Sequence, residues 1–341
     1  MPAFISEDNK LFAYGCNDVG QLGLGHIENV DTLTQVKGFN NVISLSCSAG
    51  SMIFVNDNKL FTCGLNNNKL SNYKNFRIPS QVGDFDNVTL VSSSNNHVAF
   101  INDGKLFVYG SNEYGQLGLG HNDNVNIPTQ VEGFDNVTLV SCGDYNTAFI
   151  NNDNLYVCGN NYYGQLGLHH VNNINVPIQI KNFDNVISAS YGDYHLAFVS
   201  NNKLFVCGSN YSGQIGLNLL DLFKTHTEVE GFDNVTSVYC GLYHTAFISN
   251  NKLFICEDNS CGRYGSHNMI THIEGFNNVI SVYCGTFSTN FVNNDKLFTF
   301  ETNLSRQNKI GDSSINIPKE VPNFKPFVPP NRFKKTKSAR K

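Results

Sequence analysis

The 341-residue chain repeats itself. The tripeptide KLF, or a near copy, recurs with its central leucine at Leu11, Leu60, Leu106, Leu155, Leu204, Leu253 and Leu297, at separations of 49, 46, 49, 49, 49 and 44 residues. A period of this length, seven times over, dictates stacked copies of one supersecondary unit. Within the unit at 136–180, four short apolar segments alternate with Gly, Asn and Asp, the pattern of four strands joined by tight turns. One such sheet cannot bury both faces, whereas sheets packed face to face about an axis can. The periodicity therefore predicts an all-β, seven-bladed propeller of four-stranded antiparallel blades. Composition agrees: 26 Phe and 15 Tyr supply strand formers, and no window rich in Ala, Leu, Glu and Lys offers a helix.

The chain ends test the prediction. Ala3 to Ile5 reads as the second strand of a unit, and the Asn-Val opening strand occurs six times, at Asn41, Asn87, Asn136, Asn185, Asn234 and Asn278. The missing copy is expected from Lys325 to Val328, because PNFKPFV aligns with EGFDNVT elsewhere. The propeller should thus occupy 1–328, closed by N- and C-terminal strands sharing one blade. Pro326 and Pro329 donate no amide hydrogen, so this strand should be short. Residues 329–341 are expected to form a separate, disordered basic tail.

The run GSNEYGQLGLG, residues 110–120, invites comparison with nucleotide-binding loops. A P-loop needs Lys and then Ser or Thr after its second glycine, but Gln116 and Leu117 follow Gly115. A dinucleotide fingerprint must lead into a helix, and HNDNVNIPTQV has no helical periodicity. The run also recurs from Gly15, Gly159 and Gly208, with worn copies from Gly64, Glu257 and Glu301, whereas a cofactor loop is normally needed once. It reads as a structural turn. Gly15, Gly20, Gly110, Gly115, Gly118, Gly159, Gly164, Gly208 and Gly213 admit positive φ, Asn112 bonds its own backbone, and Leu117 and Leu119 fill the space between blades. No cofactor is implied.

Taken together, G-x-N-x-x-G-Q-L-G-x-G, the segment CGLYHTAF from Cys240 and a period just under fifty residues resemble the regulator of chromosome condensation repeat family. The resemblance covers about residues 3–328 and implies a seven-bladed propeller. Members of that family include the exchange factor for the nuclear GTPase Ran, parts of ubiquitin ligases, a plant ultraviolet receptor and a bacterial β-lactamase inhibitor, so the resemblance implies a fold and leaves function open.

Other residues narrow the chemistry. No basic-plus-apolar leader and no apolar run of bilayer length occurs, so an intracellular, soluble chain is expected, cytoplasmic or nuclear. Its ten cysteines then read as reduced thiols. Cys47, Cys142, Cys240 and Cys284 share one repeat position and Cys63, Cys158, Cys207 and Cys256 another, as core residues do, and no C-x-x-C pair suggests a metal site. NVT at Asn87, Asn136 and Asn234 fits a glycosylation sequon but sits at strand starts. His97, His195 and His244 also share a position, held elsewhere by Ser51, Asn146 and Ser288, and read as side chains bonding a turn. Nothing pairs them with a nucleophile, so no enzyme is expected.

Two features point to partners. In the turns between first and second strands stand Asp144 and Tyr145, Asp193 and Tyr194, Tyr243 and Phe287, a rim of rings and carboxylates suited to anchoring a protein. Under the resemblance, Asp144 and Asp193 match acidic positions implicated in nucleotide release, making a Ran-like GTPase a candidate partner. The wedge hairpin of that exchange factor has no counterpart in repeats that never exceed 49 residues. From Pro322 onward the chain has seven basic residues and no acidic one, leaving 16 basic against 28 acidic residues before it, a net charge near −12. Arg332, Lys334, Lys335, Lys337, Arg340 and Lys341 suit non-specific contact with nucleic-acid phosphates or an import signal. Three readings follow: an interaction scaffold, a guanine nucleotide exchange factor, and a chromatin- or DNA-associated protein, including a packaging role in a large DNA virus.

Overall fold

Two-residue turns set the register of the blades. Asp57–Asn58, Asp103–Gly104, Asn152–Asp153, Asn201–Asn202, Asn250–Asn251 and Asn294–Asp295 all hold both residues at positive φ, between 49° and 73°. This is the mirror-image hairpin turn whose twist matches the flanking strands, and Asn, Asp and Gly bear it most easily. It joins the second and third strands of six of the seven blades in register, as in Asn151 opposite Asn154 and Ser200 opposite Lys203, while blade one spans Ile5 to Leu11 with a longer connection. The structure, a computed structural model, describes residues 2–65, 77–257, 270–285, 288–301 and 318–327.

Seven antiparallel sheets result, with no helix among the described residues. Blade four is representative: Val137–Gly143 lies innermost, followed outward by Asn146–Asn151, Asn154–Gly159 and Ile174–Gln179. Blade one has three strands of its own, Ala3–Ile5, Leu11–Gly15 and Val30–Gln35. The C-terminal segment completes it. Ser6 pairs with Pro326, the Phe327 amide donates to Ile5 O at 2.8 Å, and the Glu7 amide donates to Lys325 O at 2.9 Å. Among the described residues the expected closure is present as a single antiparallel bridge flanked by two backbone bonds, and proline at its centre offers no donor. Val328 lies outside the described residues.

Each blade is filled by a trio of rings. In blade five Phe198 stacks on Phe205 at 5.5 Å while Phe183, from the loop entering the blade, meets both edge-on. At the closure Phe324 takes the place of Phe183, 5.9 Å from Phe4 and 5.4 Å from Phe12. The chain's last described segment thus enters blade one as its equivalents enter the others.

Between blades, apolar and polar contacts alternate. Leu106, Val108 and Leu117 pack against Val137, Val140 and Phe149 of the next blade, with Leu119 at the margin. Nearer the axis, a serine hydroxyl on one inner strand accepts a backbone N–H from the next. The amides of Ser93, Cys142, Tyr191 and Cys240 each lie 2.9 Å from Ser46, Ser92, Ser141 and Ser190. The recurrent cysteine explains itself here: Cys142 and Cys240 add thiol bonds to the carbonyls of Ser92 and Ser190. Burial pushes both thiols up to about 12, so they stay protonated.

The histidines bond more than their own turns. His97 Nδ1 does meet Ser94 Oγ, as a turn bond should, but Nε2 reaches across the junction to Thr147 Oγ1 at 2.8 Å. Thr147 donates its hydroxyl hydrogen to Gln116 O at 2.7 Å, so Nε2 carries the ring proton. His195 with Thr245 and His244 with Thr289 repeat the link across the junction at 2.8 and 3.0 Å, although His195 Nδ1 has no partner among the described residues. A Cβ at Gly192 or Gly241 would collide with the imidazole of His195 or His244, which gives the glycine of G-x-x-H its reason.

Two outcomes follow from this packing. Phe324→Ala should lower unfolding free energy by about 3 kcal/mol, and hydrogen exchange should show selective loss of protection at Glu7 and Phe327; unchanged exchange there would count against closure through this segment. Burial lowers His97 and His244 to about 4 and His195 to about 3, so each is neutral when folded and binds a proton on unfolding. Stability should therefore fall as pH drops from about 6.5 towards 4, by up to roughly 1.4 kcal/mol per pH unit for each histidine. Urea titrations at pH 7 and pH 5 should show that fall, reduced in the triple variant His97→Asn, His195→Asn, His244→Asn, which copies the natural Asn146.

Candidate functional site, a tyrosine-walled cleft beside an acidic pair

The turns between first and second strands share one face of the ring with the described glycine-rich loops that follow the third strands of blades one, three, four and five. Those loops are rigid for reasons visible in their bonds. Asn112 is fully buried; its Oδ1 accepts the Leu117 amide at 2.9 Å and its Nδ2 donates to His121 O at 2.7 Å. The Asx-turn expected from sequence is thus extended into a clamp across the whole loop. Gln116 Oε1 accepts the Tyr114 amide at 3.0 Å, and Asn161 and Gln165 do the same for Leu166 and Tyr163. Gly118, at φ +67°, lets the loop press on the next blade, where a Cβ would lie 2.9 Å from Pro177 Cγ.

On this frame the two x positions of G-x-N-x-x-G become presentation sites. They place Tyr114 beside Tyr145 at 4.9 Å, and Tyr163 beside Tyr194 at 5.0 Å, both pairs edge to face. Tyr162 packs on Tyr163 at 5.1 Å and is 69 % exposed. Between the pairs lies a cleft of about 550 Å³ lined by these five tyrosines and Asp193, with amides of the 160–173 loop at its edge. Among the described residues no Lys, Arg or His lines it.

A polar chain runs along the turns beside the cleft. The Ala49 amide donates to Asn95 Oδ1 at 3.0 Å, Asn95 Nδ2 donates to Asp144 Oδ1 at 3.1 Å, and Asp144 in turn lies within hydrogen-bonding reach of Asp193. Burial, and then the charge of Asp144 with its shared hydrogen bond, pushes the Asp193 carboxyl up to about 8. Near neutral pH Asp193 therefore keeps its proton. Desolvation also raises the phenols of Tyr145 and Tyr194, so both remain neutral donors.

Four of the rim residues named from sequence, Asp144, Tyr145, Asp193 and Tyr194, are therefore neighbours. Tyr243 stacks on Tyr194 at 6.1 Å, at the far side from the cleft lining. Phe287 and the basic residues Arg332, Lys334, Lys335, Lys337, Arg340 and Lys341 lie outside the described residues. Tyr114, Tyr162 and Tyr163 lie within runs that read from sequence as structural turns, and their signal is variation inside an otherwise repeated loop. Among the described residues no cluster of three or more His, Cys, Asp or Glu could hold a metal ion.

The profile of the regulator of chromosome condensation (RCC1) repeat matches residues 8–55, 103–150, 152–199 and 201–248, and a second RCC1-repeat profile matches 137–165. No curated protein sequence matches that of the chain. Among solved structures, human WBSCR16 superimposes with a TM-score of 0.77 at 21 % identity, covering 92 % of this chain and 93 % of that one. Yeast RCC1 (Prp20), solved bound to Kap60, gives 0.76 at 16 % identity over 94 % of this chain and 84 % of that one. Prp20p from Saccharomyces cerevisiae, reported with its binding properties to Gsp1p and histones, gives 0.76 at 16 % identity over 94 % and 88 %. At these identities the likeness is one of fold.

Because Asp193 is more basic folded than unfolded, its burial, and then its pairing with Asp144, costs stability as pH rises from about 4 to about 8. Asp193→Asn should accordingly stabilise the protein by about 1–2 kcal/mol at pH 8, screening by water at this half-buried pair having been allowed for, and the gain should vanish near pH 4. Chemical denaturation at the two pH values checks it; a destabilised variant at pH 8 would show the carboxyls are not in conflict.

Proposed function

Since the chain belongs to the regulator of chromosome condensation (RCC1) repeat family, whose propeller is a scaffold for many activities, we propose that it is a non-enzymatic interaction scaffold binding a protein partner through the face that carries the tyrosine cleft. One observation carries this reading: Asp144 and Asp193 stand together without a basic neighbour among the described residues of the cleft lining, beside half-buried tyrosines. An arrangement that opposes stability, held on a rigid frame, is characteristic of a working surface. Tyrosines supply contact area at low entropic cost, and carboxylates orient the partner. Protein partners have precedent in yeast RCC1 (Prp20), solved with Kap60 and reported to bind Gsp1p and histones.

Exchange on a Ran-like GTPase is a second reading, supported by Asp144 and Asp193 occupying the turn positions that match the family's acidic residues. The basic stretch 329–341 is proposed to stand apart from the propeller body at 1–328 and to contact phosphates non-specifically. Both the scaffold and its tail are placed inside the cell in this reading.

Capture from the native cell should separate the first two readings. A partner held by the wild type should be lost at least about tenfold, or 1.4 kcal/mol, by the double variant Asp193→Ala, Tyr194→Ala, while nucleotide release from a panel of Ran-like GTPases stays at its intrinsic rate. Equal capture by both proteins would remove the face from the reading, and accelerated release abolished by Asp144→Ala would favour exchange.

A further inference from the structure

We propose that the cleft seats an arginine side chain of the protein partner, its guanidinium lying against the tyrosine walls and hydrogen-bonded to Asp193. The inference rests on the reading that this face binds a protein, and it specifies the chemistry that the face recognises. Four observations converge. First, the walls are five tyrosines, whose ring faces attract cations. Second, the carboxyl in the lining is Asp193, backed by Asp144 and uncompensated by any basic residue among the described residues of the cleft. Third, the Asn172 side-chain amide, also in the lining, makes no hydrogen bond within the described residues and offers a further acceptor. Fourth, one side stays open, with Tyr162 69 % exposed, so a side chain can enter from a docked surface.

Arginine fits better than lysine for physical reasons. A guanidinium is planar, stacks on rings and carries five donors in a fixed fork, which the Asp193 carboxylate and neighbouring amide oxygens can accept together. It is also more weakly hydrated than an ammonium, so less is lost on entering a half-buried cleft. A bound cation stabilises the ionised form of Asp193 and relieves the conflict with Asp144 that burial imposes.

The test uses the full chain with ring-labelled tyrosine, observed by NMR during titration with a capped Gly-Gly-Arg-Gly-Gly peptide and its lysine and norleucine counterparts. The arginine peptide should move the signals of Tyr114, Tyr145, Tyr163 and Tyr194 saturably. It should bind about fivefold or more tightly than the lysine peptide, and norleucine should give no saturable shift. Asp193→Asn should weaken arginine binding about tenfold; because that substitution is expected to stabilise the fold, loss of binding would not reflect unfolding. Absence of saturable shifts, or equal response to lysine or norleucine, overturns the proposal. So would movement of these tyrosine signals on Arg332→Ala or Arg340→Ala in the free protein, which would assign the seat to the chain's own C-terminal segment. If a partner is captured through this face but the arginine peptide fails to bind, only the arginine inference falls. If the peptide binds but no captured protein depends on the face, the scaffold reading falls instead.

Discussion

The bond from a serine hydroxyl on one inner strand to a backbone amide on the next is the contact on which the ring depends. An inner strand pairs with its own blade on one side only and would otherwise present an open edge to the axis. Ser46, Ser92, Ser141 and Ser190 occupy that edge at four successive junctions and fix the spacing of the blades. At the junction of blades six and seven Tyr239 stands where serine would be, and the link is carried by the Cys284 thiol to Tyr239 O. Hydrophobic packing alone would hold neighbouring blades together without choosing their angle; directional bonds near the axis set it.

The junction and the candidate site belong to one bonded chain. His97 donates to Thr147 across the junction, Thr147 donates to Gln116 O, and Gln116 Oε1 accepts the amide of Tyr114. The contact that locks blade three to blade four thus also sets the backbone from which one wall of the cleft is presented. Preorganisation of this kind lowers the ordering cost of binding, because the rings are placed before a ligand arrives. It also explains why the histidines are buried and neutral: they are structural links beneath the face that carries the cleft.

Much of the architecture was legible in the sequence because rotational repetition writes the same residues at the same spacing. Seven KLF segments gave the blade number, and the absent Asn-Val strand located the closure at Lys325 and Pro326. The His-to-Thr links were harder to foresee. His97 and Thr147 are 50 residues apart, and only the three-dimensional adjacency of blades shows that HTAF and its variants bond between copies. The site was half legible. Asp144, Tyr145, Asp193 and Tyr194 could be named because their turn precedes the conserved-looking core strand in each repeat, but the rings facing them come from the glycine runs. There the fixed Gly, Asn and Gln dominate the pattern and conceal that the residues between them, Tyr114, Tyr162 and Tyr163, are free to vary and are carried outward by the rigid loop.

The brevity of the closing segment has a mechanical consequence. Its backbone is tied to the neighbouring strand by the amides of Phe327 and Glu7 around a proline, whereas a second strand such as Asn146–Asn151 is laced along its whole length on both sides. Tension applied through the two ends of the chain would load those few bonds and the packing of Phe324 in succession. The ring would then come open at blade one like a clasp, while the cleft between blades three and five, on the opposite arc, kept its shape.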